Sequence, residues 1–108
     1  MNRDERIDYL KALIVESPED PFPFYALCLE NESENPVQNS EGWLKVLEKF
    51  PEYLPSYYQA GMHFLELAQK ENAIEIWKNG IQLAQKQGDN HALAELKSAV
   101  QNAILDDD

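Results

Sequence analysis

Apolar residues recur along this chain at helical spacing, in six stretches parted by short polar or proline-bearing turns. In the first, Ile7, Leu10, Leu13 and Ile14 share a face, with Asp4, Glu5, Asp8 and Lys11 between them. Asn2 is placed to cap this helix. Ser17 and Pro18 end it, because a residue before proline is pushed out of the α region. The second helix is expected from Pro21 to about Asn31, capped by Asp20 with proline in its first turn. Phe22, Phe24, Tyr25, Ala26, Leu27, Cys28 and Leu29 make it almost continuously apolar, which predicts burial on more than one side. Asn35 and Pro36 open a third helix that runs to Phe50 on Trp43, Val46 and Leu47, and Pro51 stops it. A fourth is expected from Pro55 to near Gln69. Lys70 and Glu71 are read as a turn. A fifth runs from about Asn72 to Gln87 on Ile74, Trp77, Ile81 and Ala84. Gly88 stops it and Asp89 caps the last helix, Asn90 to about Ile104, on Leu93, Leu96, Val100 and Ile104. Residues 106–108 are an acidic tail opposing the dipole of that helix. No stretch alternates apolar and polar residues, so the fold class is all-α.

The helical stretches repeat. Trp43 and Trp77 stand 34 residues apart, with Val46 and Gly80, Leu47 and Ile81 at the same offset. Tyr25 and Tyr58, Cys28 and Gly61, Leu29 and Met62 are related by an offset of 33. Leu10, Leu13, Ile14 and Pro18 precede Trp43, Val46, Leu47 and Pro51 by 33 as well. A long period in a polar chain points to stacked supersecondary units. Gly61 and Gly80 lie inside helices, where glycine costs about 0.5–1 kcal/mol relative to alanine. Close approach of a paired helix is the packing reason for them.

The run Tyr57, Ala60, Gly61, Phe64, then Ala73 and Trp77, resembles the tetratricopeptide repeat. Phe24, Leu27, Cys28, Trp43, Val46 and Pro51 hold the matching positions of an earlier copy. That copy departs from the pattern at Asn31, where an aromatic residue is expected, and at Asn39, where a small one is. The later copy has Gln85 in place of the closing proline, so its second helix should run on by a turn. The resemblance implies an antiparallel helix-pair solenoid with a right-handed superhelical stack, in one domain over residues 1–108. Its parts would be a half-repeat over 1–18, repeats over 21–53 and 54–87, and a capping helix over 89–105.

Composition narrows the functional classes. Nine Lys and Arg face twenty Asp and Glu, a net charge of −11. Such a field opposes nucleic-acid phosphates and anionic membranes alike, so neither is an expected partner. One cysteine allows no internal disulfide, and with two histidines it leaves no metal-ligand set of ordinary spacing. Glu30, Glu32 and Glu34 lack the glycine and closing glutamate of a calcium loop. Arg3, Asp4, Glu5 and Arg6 occupy the place where a secretory leader would turn apolar, so the expected compartment is the cytoplasm.

Catalysis has little to stand on. The sequence alone points to no nucleophile or orienting group for His63, His91 reads as a surface residue, and Cys28 reads as an inert thiol at a small-residue site. No cofactor is expected. In the resembling family the first helices of successive repeats line a concave groove. Here that places Tyr25, Leu29, Tyr58, Met62, Leu65 and Glu66 in a trough for a protein or peptide partner. Family members that grip a terminal carboxylate use Lys, Arg and Asn where this chain has Tyr25, Leu29, Tyr58 and Met62, so that clamp is absent. The last helix is expected to cover part of the trough through Leu93 and Leu96. The function implied is a non-enzymatic adaptor or scaffold. The alternative is a homodimer in which a second copy covers the trough.

Overall fold

In a computed structural model that describes residues 1–106, the chain forms six α-helices and no strand among the described residues. They are α1 (Arg3–Glu16), α2 (Pro21–Asn31), α3 (Pro36–Lys49), α4 (Pro55–Glu66), α5 (Lys70–Gln87) and α6 (Asn90–Leu105). The polar punctuation acts as expected at most ends. Asn2 accepts from Glu5 N–H, Asp20 from Phe22 N–H and Asp89 from Ala92 N–H, each relieving an orphan donor of a first turn. Asp107 and Asp108, part of the expected acidic tail, lie outside the described residues.

The helices gather into two compact units that part between Phe50 and Pro51. In the first, α1 packs on α2 and α2 on α3. Arg3 donates through Nε and Nη2 to the Glu30 carbonyl, at 3.2 and 2.8 Å, and meets Glu34 at 3.1 Å. Its cation thus sits on the last turn of α2, where the helix dipole favours it. Arg6 pairs with the Glu30 side chain, and that hydrogen bond holds the Glu30 carboxyl below its usual range. Continuous burial of α2 is not what the structure has. Pro23 and Cys28 are its buried residues, while Phe22 is 52% and Leu29 40% exposed. With only α1 and α3 as neighbours in this unit, an all-round apolar helix has more surface than they cover.

In the second unit α4 packs on α5, and α5 on α6. Trp77 is fully buried, and a methyl group built on Gly61 would overlap its indole at Nε1 and Cε2. The indole N–H donates to the Tyr58 carbonyl at 3.2 Å. Gly80 does the same service one turn on, since a Cβ there would lie 2.7 Å from Tyr57 Cβ and 3.1 Å from Leu96 Cδ1. Ala60, Phe64, Ala73, Ile76 and Ala84 are buried in this core as well. Tyr57 is buried and its hydroxyl donates to the Pro51 carbonyl at 2.7 Å; Pro51 itself is exposed.

Two boundaries differ from expectation. α4 ends at Glu66, three residues before Gln69, and α5 starts at Lys70, leaving no turn at Lys70 and Glu71. The cause is Ala68, which takes φ 61°. Gln69 N–H then reaches the Phe64 carbonyl at 2.9 Å and Ala68 N–H the Leu65 carbonyl at 3.0 Å. That is the Schellman closure, here built on alanine instead of glycine. Gly88 makes the same closure after α5 at φ 72°, with Asp89 N–H to the Ala84 carbonyl at 3.0 Å.

Opposite signs are therefore expected for two substitutions that exchange glycine and alanine. Gly61→Ala forces the indole aside and should cost about 1–3 kcal/mol even after its gain in helix propensity. Ala68→Gly removes a left-handed alanine and should stabilise by about 0.5–1 kcal/mol. Urea midpoints followed by circular dichroism test both; equal effects would refute the assigned geometry.

Candidate functional site

Tyr58, Met62 and Leu65 stand four and three residues apart on α4, so they share one helical face. All three are half-buried. They form one wall of a cleft of about 540 Å³ in the second unit. The facing wall comes from α6 through Ala99, Asn102 and Ala103, and Trp77 lies at the base. Small residues at Ala99 and Ala103 keep this wall low. Lys70 Nζ donates to the Asp106 carbonyl, which ties the start of α5 to the end of α6 at the cleft mouth.

Of the six residues expected to line a trough, Tyr58, Met62 and Leu65 line this cleft. Glu66 is exposed and stands outside the cleft lining. Tyr25 and Leu29 belong to the first unit. There the Tyr25 ring packs edge-on against Trp43, with centroids 6.0 Å apart, and Leu29 is on the surface. The α6 contribution is corrected. Leu96 does not cover the trough but is buried over Gly80 of α5, and Ile104 is 56% exposed instead of facing the core. Ala103 takes the buried position. Asn102 and Lys70 were not anticipated. The only sequence signal for the α6 wall was the pair of alanines four apart, which the larger Leu93, Leu96 and Val100 outweighed.

A second cleft, about 740 Å³, lies within the first unit between α2 and α3. Phe24, Leu27, Cys28 and Val46 give it an apolar floor, Gly42 opens it, and Lys45 and Lys49 stand on its edge with Glu48. Lys49 Nζ lies 4.8 Å from the centroid of the Phe24 ring, a cation–π contact. Phe24 also packs on Phe50 at 5.1 Å. At its far end the buried Asn39 donates to the Cys28 carbonyl at 2.9 Å and to Glu32 Oε1 at 3.1 Å. The same carboxylate oxygen accepts from Trp43 Nε1 at 2.7 Å. The two departures from the repeat pattern thus differ in consequence: Asn39 is a hydrogen-bonding hub, whereas Asn31 merely lines the cleft.

The titratable side chains that line the clefts are Tyr58, Lys70 and Asp106 in one, and Cys28, Lys45, Glu48 and Lys49 in the other. His63 is buried edge-on against Phe64, with centroids 4.9 Å apart, and His91 is exposed in the first turn of α6. Glu30, Glu32 and Glu34 diverge onto Arg6, Asn39 with Trp43, and Arg3. No group of three or more metal-ligating side chains converges among the described residues. No helix among them is long and apolar enough to cross a membrane. Both clefts combine apolar walls with a few polar groups, the general make-up of a ligand pocket.

Solved structures resemble this one closely. The solution structure of a tetratricopeptide repeat domain protein from Salinibacter ruber is 31% identical, with a TM-score of 0.76 over 84% of this chain and 94% of that one. A crystal structure of the Salinibacter ruber domain is 30% identical, with a TM-score of 0.71 over 78% and 94%. The crystal structure of MamA shares the fold at 15% identity, with a TM-score of 0.63 over 94% of this chain and 67% of that one. No family model matches the chain, and no curated protein matches it.

Burial pushes the Cys28 thiol up to about 12, with the nearby Glu32 charge adding to the effect. The unfolded chain releases this proton near pH 9, so it binds fewer protons than the native state between pH 9 and 12. Stability should therefore fall as pH rises through that window, and less steeply in Cys28→Ala. Iodoacetamide should label Cys28 only after unfolding. Prompt labelling of the native protein at pH 8 would contradict this burial.

Proposed function

This chain belongs to the tetratricopeptide repeat family, and from that membership we propose that its α4–α6 cleft receives a short apolar segment of a partner protein. Protein-interaction modules are the general class to which such domains belong. The observation that carries the proposal is the convergence of Tyr58, Met62 and Leu65 on Trp77 opposite the low wall of Ala99 and Ala103. Tyrosine gives a rigid apolar plate with a polar tip, and methionine reshapes around its guest. Asn102 and Lys70 supply the polar groups that orient a peptide backbone. Leu29, exposed on α2, is proposed as a further contact of the first unit.

Charge selects the partner. A protein of net charge −11 draws a segment whose apolar anchors are flanked by Lys or Arg, and the attraction weakens with salt. Three anchors at about 1.5–3 kcal/mol each compete with an association cost of about 4–15 kcal/mol. A lone peptide is accordingly held at micromolar affinity or weaker. A larger contact surface is needed for anything tighter.

Selection of a random peptide library on the wild-type protein is the direct experiment. Recovered peptides should carry two or three apolar anchors with basic flanks. Their affinity should fall about tenfold or more in Tyr58→Ala/Met62→Ala, with the circular dichroism spectrum unchanged. Equal binding to the folded double variant would remove the cleft from consideration.

A further inference from the structure

The cleft between α2 and α3 is not used by the function just proposed, and its chemistry is different. Its floor is apolar, yet two of the nine basic side chains of this acidic protein, Lys45 and Lys49, stand together on its edge. Neither makes an ion pair among the described residues, whereas Arg3 and Arg6 do. Lys49 lies over the faces of Phe24 and Phe50. Glu48 stands on the same edge and the Glu32 carboxylate at the far end, so the positive charge of this cleft is confined to the two lysines. The complementary ligand is a pair of aliphatic side chains followed by carboxylates.

The chain itself carries that ligand. The last turn of α6 ends in Ile104 and Leu105, 56% and 70% exposed, and three aspartates follow in sequence. Nothing in the second unit's core claims these two side chains, because Leu96 and Ala103 supply the buried face of α6. The turn that presents them is held. Asp106 N–H donates to the Asn102 carbonyl at 3.1 Å, and the Asp106 carbonyl accepts from Lys70. An anchor fixed before docking loses little freedom on binding.

We propose that the α2–α3 cleft takes residues 104–108 of a second copy of this chain. Ile104 and Leu105 enter over Phe24, Leu27 and Val46, and the aspartates lie against Lys45 and Lys49. Cleft and ligand are different surfaces, so each copy offers one of each. The contact is heterologous, and association continues past a dimer unless the rotation between copies closes a ring.

Sedimentation of the full chain over a wide concentration range tests this, together with binding of a fluorescein-labelled peptide of residues 99–108. Mass should grow with concentration beyond a dimer. Lys45→Glu/Lys49→Glu should lower peptide affinity about tenfold or more and abolish self-association. Asp106→Lys/Asp107→Lys/Asp108→Lys should also be monomeric alone. Mixing the two charge-reversed proteins should restore association, because each then offers what the other accepts. Lys45, Lys49 and Asp106 are exposed, and melting curves establish that both variants fold. A wild-type protein that stays monomeric, a peptide that binds the reversed cleft as well as the original, or a mixture that fails to associate would each overturn the proposal. Self-association that survives these reversals but is lost in Tyr58→Ala/Met62→Ala would place the second copy in the α4–α6 cleft instead. A sequence-unrelated partner would show as peptide silence with a monomeric protein, which equally defeats it.

Discussion

An indole lying where a neighbouring helix has no side chain is the contact on which the second unit depends. Trp77 occupies the space a methyl group at Gly61 would need, and its N–H closes on the Tyr58 carbonyl one helix away. This single arrangement explains several residues at once. It sets the separation of α4 and α5, which lets Tyr57 rest over Gly80, and Gly80 in turn makes room for Leu96 of α6. The α4–α6 cleft is what remains above the indole once these approaches are fixed. Function and core therefore share a residue: Trp77 is both the wedge between helices and the base of the proposed binding site.

The first unit solves the same packing problem with more polar material. Cys28 stands where the later repeat has Gly61, and Asn39 where it has Ala73. Cys28 and Asn39 both lie close to where a Cβ at Gly42 would be, each 3.3 Å away. The Trp43 N–H turns to the Glu32 carboxylate, not a backbone carbonyl. A partly buried carboxylate that accepts from both Asn39 and Trp43 is held in one geometry, and removing either donor would take a hydrogen bond from it. The apolar cleft beside this network opens between α2 and α3, where no indole lies against a glycine.

Much of the fold was legible because its punctuation is chemical and local. Asn2, Asp20, Asp89 and Gly88 each do in the structure what their side chains, or the lack of one, permit. The glycine inside α4 and the tryptophan repeated across the units are sequence signals of close helix pairing. What escaped depended on conformation or on neighbours. No rule of composition assigns an alanine to the left-handed region, so the end of α4 at Ala68 was overrun. The apolar wealth of α2 promised more burial than two neighbouring helices provide. On α6, large side chains drew attention from Ala99 and Ala103, although small residues are what shape a cleft wall. Half of the expected trough, Tyr58, Met62 and Leu65, came together because helical spacing alone puts them on one face. Asn102 and Lys70 joined them through tertiary packing, which no local pattern encodes.

The two tryptophans differ in what their N–H groups meet: a carboxylate oxygen for Trp43, a main-chain carbonyl for Trp77. Each unit thereby carries its own optical probe, with a distinct local field on an otherwise equivalent ring. Emission from the intact protein is the sum of two reporters, and replacing one ring by phenylalanine would let the other describe its half alone. The repeat that built the molecule twice has also wired it for separate observation.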